Sequence, residues 1–354
     1  AGLPMSFSLG NVVSLADSIQ TYQRILIMDN PSPEQIHQNM DDFISEARAP
    51  YKQRKSFLSF NLAELQSKTP EEFDQKLGQL LDQVNALRSN TLLLQAAIDR
   101  DGDGKIDALF FPNSKLPMQQ DLLNRTVWQA RTRISNRVYA ELPVSLQLQQ
   151  GINLADLTAD LMKNNSSLEG LILDPGNALD CAISQAQWTD ACTQQVKQVI
   201  AIKEQSKASA HYYSNISNDN QTALKLSLKG NRFAGLKPLV MQALTASDFL
   251  YISLNPVQQP ETFKAFVKAL NSLGAEQKQR LIVSLDINPK MSSKDWARYQ
   301  QNYQMLRAAS IQKIGVNNYL LQDGARVQQN LYKNLSMNGS PLTYRDPYQQ
   351  GGTR

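Results

Sequence analysis

Short apolar runs alternate along this chain with longer stretches in which apolar residues recur every three or four positions. From Ser56 onward the alternation repeats eight times. Ser56–Leu62 reads as a strand. Thr69 and Pro70 then offer an N-cap and a first-turn proline for a helix, and Phe73, Leu77, Leu80, Leu81, Val84 and Leu87 give it one apolar stripe. Thr91–Ile98 is nearly continuously apolar, as expected of a strand covered on both faces. The pattern next predicts a helix over Leu122–Arg131, a strand over Val138–Leu146, a helix over Ile152–Lys163 and a strand over Leu168–Leu173. Ala191–Glu204 reads as a helix, Ala208–Tyr213 as a strand, Leu236–Thr245 as a helix and Phe249–Leu254 as a strand. Pro260–Leu273 is expected to be helical, Arg280–Asp286 extended, Ser293–Ala309 helical and Lys313–Val316 a last strand.

Repeated strand–helix units imply parallel strands joined by right-handed crossovers. Eight units favour an α/β fold of the (β/α)8 TIM-like barrel type over an open doubly wound sheet. No Gly-x-Gly-x-x-Gly follows the first strand, which weakens a dinucleotide-binding reading. Before the barrel, Leu3–Leu9 and Arg24–Met28 are strand-like, and Pro33–Ala47 is helical with Glu34 in its first turn. Ala49, Pro50 and Lys52 to Lys55 read as a linker. The expected organisation is a short N-terminal extension (1–50), a barrel (51–342) and a flexible tail (343–354). A chain of 354 residues holds such a barrel, which needs about 250, with extra segments.

Composition narrows the function classes. The net charge of +4 is spread along the chain without a basic run, which argues against nucleic acid as a partner. No apolar stretch reaches ~18 residues, so no membrane span is expected. Two cysteines and two scattered histidines, His37 and His211, make no zinc motif. Cys181 and Cys192 flank a short polar stretch, and their spacing alone leaves free thiols and a local disulfide both open.

Chemistry in such a barrel sits on the loops after the strands' C-terminal ends. Polar residues expected there are Asn61, Glu64, Gln95, Asp99, Glu141, Asp174, Asn177, His211, Tyr212, Tyr213, Asn215, Asn255, Asp286, Asn288, Asn317, Asn318 and Tyr319. Amides and tyrosines suit a sugar, whose hydroxyls need hydrogen bonds and whose faces stack on rings. Glu141, Asp174 and Asp286 are the candidate catalytic carboxylates for glycoside hydrolysis. Each also has a plain structural reading, Glu141 as an arginine's partner and the two aspartates as turn or helix caps. Asn61, Gln95, Tyr212, Tyr213, Asn255, Asn317, Tyr319 and Trp188 are the candidate substrate-binding residues. Trp128 and Trp296 read as helix packing residues. Asp99, Asp101, Asp103 and Asp107 fall on calcium-loop spacing, but Phe110 stands where a bidentate Glu is expected and a strand precedes the loop. A loop that solvates its own carboxylates is the favoured reading there, with a calcium ion the alternative and no other cofactor expected.

Several segments resemble one family. Leu94-Gln-Ala-Ala-Ile-Asp-Arg-Asp-Gly-Asp-Gly104, Phe110-Phe-Pro-Asn113, Leu116-Pro-Met118 and Val127-Trp-Gln-Ala-Arg-Thr-Arg133 occur in the order seen in the barrel domain of the PgaB family of poly-β-1,6-N-acetylglucosamine deacetylases. Val138-Tyr-Ala-Glu-Leu-Pro-Val144, Gly170-Leu-Ile-Leu-Asp174, Val283-Ser-Leu-Asp286 and Ile314-Gly315 continue the likeness, and Arg24-Ile-Leu-Ile-Met-Asp-Asn-Pro-Ser32 resembles the end of the family's deacetylase domain. The resemblance implies an exported, periplasmic protein, an outer-membrane lipoprotein at full length. It also implies a deacetylase domain preceding the barrel, the partly deacetylated polymer as ligand, an export porin as partner and a disulfide between Cys181 and Cys192. The family's first-strand Asp-Leu-Asp is Asn61-Leu62-Ala63 here, its strand-three Trp is Glu141, and its His-Asp-Asp is replaced by Asp174-Pro175-Gly176. Its strand-eight Tyr-Tyr-Pro-Asp-Asp is Val316-Asn317-Asn318-Tyr319. These departures predict a largely neutralised groove that binds the polymer with weak or no hydrolysis. The alternatives are an active hydrolase using Glu141, Asp174 and Asp286, and a protein–protein scaffold.

Overall fold

The computed structural model describes residues 56–165, 167–213, 221–321 and 325–335, with 32–34 and 347. The N-terminal extension, apart from Ser32 and the helical Pro33 and Glu34, and the tail, apart from Pro347, lie outside these residues. The strands are β1 (Ser56–Asn61), β2 (Thr91–Gln95), β3 (Ala97–Ile98), β4 (Ala108–Leu109), β5 (Arg137–Pro143), β6 (Gly170–Asp174), β7 (Gln221–Ser227), β8 (Leu250–Leu254), β9 (Leu281–Asp286) and β10 (Lys313–Tyr319). Eight of them close a parallel barrel in the order β1-β10-β9-β8-β7-β6-β5-β2, and β3 and β4 form a separate antiparallel pair. The helices are α1 (Pro70–Leu87), α2 (Leu123–Ile134), α3 (Ser145–Leu148), α4 (Leu154–Asn164), α5 (Asp180–Ser184), α6 (Asp190–Tyr213), α7 (Leu236–Ala246), α8 (Pro260–Leu270), α9 (Ala275–Gln279), α10 (Ser293–Ala308) and α11 (Ala325–Leu335). The expected (β/α)8 barrel is therefore the fold. Among the described residues no helix is long and apolar enough to cross a membrane.

Local chemistry sets the boundaries. Thr69 Oγ1 accepts the Glu72 amide at 3.1 Å and Pro70 opens α1, whose apolar stripe is buried against the sheet. Arg88 ends the helix in the left-handed conformation, φ 59°. Ser292 and Asp295 form a capping box at the start of α10. Gly170 is required at the foot of β6, because a Cβ there would lie 1.7 Å from the carbonyl oxygen of Gln221 on β7.

Four expectations are corrected. The run Thr91–Ile98 is broken at Ala96, and Ala97–Ile98 leaves the barrel to pair with Ala108–Leu109. The strand expected over Val138–Leu146 stops at Pro143, and Ser145–Leu148 forms α3. Ala208–Tyr213 is not a strand: it is the last quarter of α6, and the fifth barrel strand is Gln221–Ser227. Trp128 does not pack in the core but is 62% exposed on α2, whereas Trp296 is buried.

Side chains alternate in and out of the barrel along each strand. Phe57, Leu93, Tyr139, Ile172, Ala223, Phe249, Tyr251 and Ile282 form an apolar plug apart from the main core under the helices. Its rings pack tilted or edge-on, with Phe57 5.5 Å from Tyr139 and from Tyr251. Burying such rings stabilises the closed sheet by roughly 2–3 kcal/mol each.

Candidate functional site

One pleat above the plug, toward the strands' C-terminal ends, the interior turns polar. Period-two alternation carries Leu93 to Gln95, Tyr139 to Glu141, Ile172 to Asp174, Ala223 to Lys225, Tyr251 to Ser253 and Ile282 to Ser284 and Asp286. Asn317 joins them from β10, its Cα opposite that of Asp286.

Two linked networks occupy this layer. In the first, Lys225 Nζ donates to Glu141 Oε1 at 3.1 Å, reaching past β6 from β7 to β5, and both residues are only 8% exposed. Gln95 also hydrogen-bonds the Glu141 carboxylate. In the second, the Tyr251 hydroxyl lies 2.7 Å from Ser284 Oγ and 2.8 Å from Asn317 Oδ1. The Asn317 amide donates to Ser253 Oγ at 2.6 Å and to Asp286 Oδ1 at 2.9 Å. Tyr251 thus ties the apolar plug to the charged layer above it.

Burial drives the electrostatics. Desolvation pushes the Glu141 carboxyl above the usual carboxylate range, and the charge of Asp174 adds to this, while Lys225 opposes it. Asp286 is raised by the same desolvation, against the Asn317 amide and Lys225. Desolvation works against the Lys225 ammonium, but Glu141, Asp174 and Asp286 outweigh it and hold its pKa above the ordinary lysine value. Three acids and one lysine therefore share a layer in which burial raises the pKa of Glu141 and of Asp286. That is an arrangement suited to binding a cation or to moving a proton.

All three candidate carboxylates come together here, with Gln95 and Asn317. The groove is consequently not neutralised, contrary to the expectation from the replaced family acids. Asp174 keeps its structural role as well, since its Oδ1 caps the turn at the Gly176 amide, 2.9 Å away. Asn61 and Asn255 lie on the rim but are engaged locally, accepting the amides of Ala63 and Gln258. Trp188 is half-buried in the β6–α6 connection, its ring against the core and its indole N–H on the Ala182 carbonyl at 3.1 Å.

The structure removes three residues from the candidate list. Tyr212 and Tyr213 end α6, which returns to the N-terminal end of the barrel, opposite the polar layer. Tyr213 there packs under the Lys163 ammonium, 4.8 Å from its ring centre. Their misplacement follows directly from reading this helix end as a strand. Asn215 lies outside the described residues. Tyr319 is buried on the outer face of the sheet and bonds Gln83 and Gln328 of the surrounding helices. A kink at Asn318, φ 60°, shifts the β1–β10 register and turns Tyr319 outward.

Lys225, Ser253 and Ser284 are site residues the sequence reading missed. For Lys225 the available signal was the alternation Thr222-Ala-Leu-Lys-Leu226, flanked by turn residues.

Cys181 and Cys192 form the disulfide implied by the resemblance, Cα atoms 6.0 Å apart, and it joins α5 to the first turn of α6. In the acidic loop between β3 and β4, Asp99, Asp101 and Asp107 offer oxygens within 4.8 Å of one another, so they could hold a metal. Each is nonetheless used within the loop. Asp99 accepts the Gly102 and Gly104 amides, Asp101 accepts the Asp103 amide, and Asp107 pairs with Arg100 at 2.9 Å.

Comparison with known proteins agrees with this architecture. Residues 59–169 match the model of a family described as hypothetical glycosyl hydrolase family 13. Over 143 residues the chain is 30% identical to the poly-beta-1,6-N-acetyl-D-glucosamine N-deacetylases of Escherichia coli K12 and O157:H7, a match that covers 40% of this chain. The chain spans about a fifth of the length of these curated relatives, 20%. Its fold is similar to the PgaB (BpsB) glycoside hydrolase domain of Bordetella bronchiseptica, with TM-score 0.62, 20% identity, and coverage of 80% of this chain and 99% of that one. The resemblance to the PgaB barrel domain read from the sequence thus holds in sequence and in fold.

Proposed function

We propose that the C-terminal mouth of this barrel binds partly deacetylated poly-β-1,6-N-acetylglucosamine as the polymer is handled in the periplasm on its way to an export porin, beside a deacetylase domain. The observation that carries this reading is the excess of acid over base in the polar layer: Glu141, Asp174 and Asp286 face one cation, Lys225. A deacetylated sugar brings an ammonium that complements this excess, while Gln95, Ser253 and Asn317 offer partners to hydroxyls and acetamides. A charge-assisted contact in such a site contributes about 1.5–3 kcal/mol, tenfold or more in affinity. Calorimetry with β-1,6-linked oligosaccharides tests it. Partly deacetylated chains are expected to bind at least tenfold tighter than fully acetylated ones, with a preference that weakens as salt rises. Absence of binding by either at millimolar ligand would reject this reading in favour of a scaffold role.

Hydrolysis is a second reading, favoured by one observation. Asp286 and Glu141 share the layer in different settings, Asp286 half-buried and Glu141 buried against Lys225, and glycoside cleavage uses two carboxyl groups whose surroundings differ in this way. Incubation with the polymer followed by mass spectrometry decides it. Soluble fragments that disappear in Asp286→Asn support cleavage, and an unchanged polymer with binding intact restricts the barrel to binding.

A further inference from the structure

Lys225 is an unusual occupant for the heart of this layer. It stands on β7 between an apolar plug below and an acidic mouth above, 8% exposed, with its ammonium committed to a glutamate two strands away. The groups that face it are Glu141 from β5, Asp174 from β6, Tyr251 from β8 and Asp286 from β9, with neutral Gln95 and Asn317 closing the ring. Glu141 is the most enclosed of the acids, and the charges bearing on it are Lys225, which favours the carboxylate, and Asp174, which opposes it. A carboxylate this far from water persists only with a partner. Asp174 and Asp286 are half-buried, and their charges bear on Lys225 as well.

We propose that Lys225 is a positioning residue, a built-in counter-ion that holds Glu141 as a carboxylate and turns a substrate's ammonium away from Glu141 toward Asp174 and Asp286. This rests, in its second half, on the amino-sugar reading above. The first half does not. An ammonium approaching Glu141 would meet the like charge of Lys225 at close range, whereas the open side of the layer presents two carboxylates and an amide. The deacetylated residue of the polymer is then seated against the carboxyl groups of Asp174 and Asp286, and an acetylated, neutral residue against the Glu141–Lys225 pair. Lys225 thereby sets which sugar of a partly deacetylated chain occupies the centre.

The first arm of the test needs no sugar. Carbon-detected NMR of labelled protein follows the Glu141 carboxyl, assigned by comparison with Glu141→Gln. Lys225→Met is expected to move its titration midpoint upward by ~1–3 pH units, and Lys225→Arg to restore most of the shift. A midpoint unchanged in Lys225→Met overturns the proposal. If Lys225→Met does not fold, the double variant Lys225→Met/Glu141→Gln decides. Its folding would identify the unpaired glutamate as the cause, and its failure would mean that Lys225 acts otherwise, overturning the proposal. In the second arm, partly deacetylated β-1,6-linked oligosaccharides are titrated into the full chain. Asp174→Asn or Asp286→Asn is expected to lower affinity about tenfold, a larger loss than Glu141→Gln gives. Equal losses in all three would overturn the directing role. Lack of sugar binding in the unaltered protein, with the carboxyl shift intact, would reject the amino-sugar reading and leave the counter-ion standing.

Discussion

The two ends of the barrel interior are built by the same strands a single pleat apart, yet they obey opposite rules. Below, Phe57, Tyr139, Phe249 and Tyr251 close the lumen with interlocked rings and no charge. Above, Glu141, Asp174, Lys225 and Asp286 leave more acid than base in a poorly hydrated layer. The lower end fixes strand positions, so the upper end can hold groups that would not assemble by themselves. Stability and chemistry are thus separated along the barrel axis rather than between core and surface.

The largest effect that would break this contrast comes from the lower end. Phe57→Ala is expected to cost about 4 kcal/mol in denaturant unfolding, because neighbouring rings cannot collapse into the space. Lys225→Met comes next at about 3 kcal/mol, since it leaves Glu141 buried with no cation, while Glu141→Gln costs less than half as much because Asp174 and Asp286 still face the lysine.

Asp286→Asn sharpens the comparison with the opposite sign. The folded-state pKa of Asp286 is raised, so between its unfolded and folded values the native state binds more protons than the unfolded one. Its contribution is then present at the acidic end of that window and lost as pH rises through the folded value. The asparagine variant should flatten this dependence in thermal melts recorded across pH. It should also be about 1 kcal/mol more stable at neutral pH, as is common when a functional charge is removed. The smallest effect is expected at Tyr212→Ala. This ring is 80% exposed at the far end, so stability should change by less than about 0.5 kcal/mol and sugar affinity not at all.

The contrast also explains what the sequence could and could not disclose. Strands whose inner and outer positions are both apolar, such as Leu92-Leu-Leu94 and Leu281-Ile-Val283, are plain in the sequence, and the acids at their ends are plain with them. Glu141, Asp174 and Asp286 are legible in the sequence for that reason. The strand carrying Lys225 was not found, because a charge in the middle of a buried run hides its period. The aromatic Tyr212-Tyr213, with its strand-like propensity, places the expected strand at Ala208–Tyr213, ahead of the observed Gln221–Ser227. Helix continuity from Asp190 overrode that propensity. Tyr319 was misplaced for a third reason: one left-handed residue, Asn318, reverses the alternation, and nothing in residue type announces it.

The pairing of β1 with β10 has a consequence in time. The first and last strands of the barrel are neighbours, separated by more than 250 residues of chain, as with Ser56 opposite Ile314. Until β10 docks, the sheet is an open ribbon with two bare edges, and Asp286 lacks the amide of Asn317 that steadies it. The mouth is therefore complete only once β10 has docked, and a chain ending just before Asn317 would carry every residue of the lower plug but not the amide that bonds Asp286.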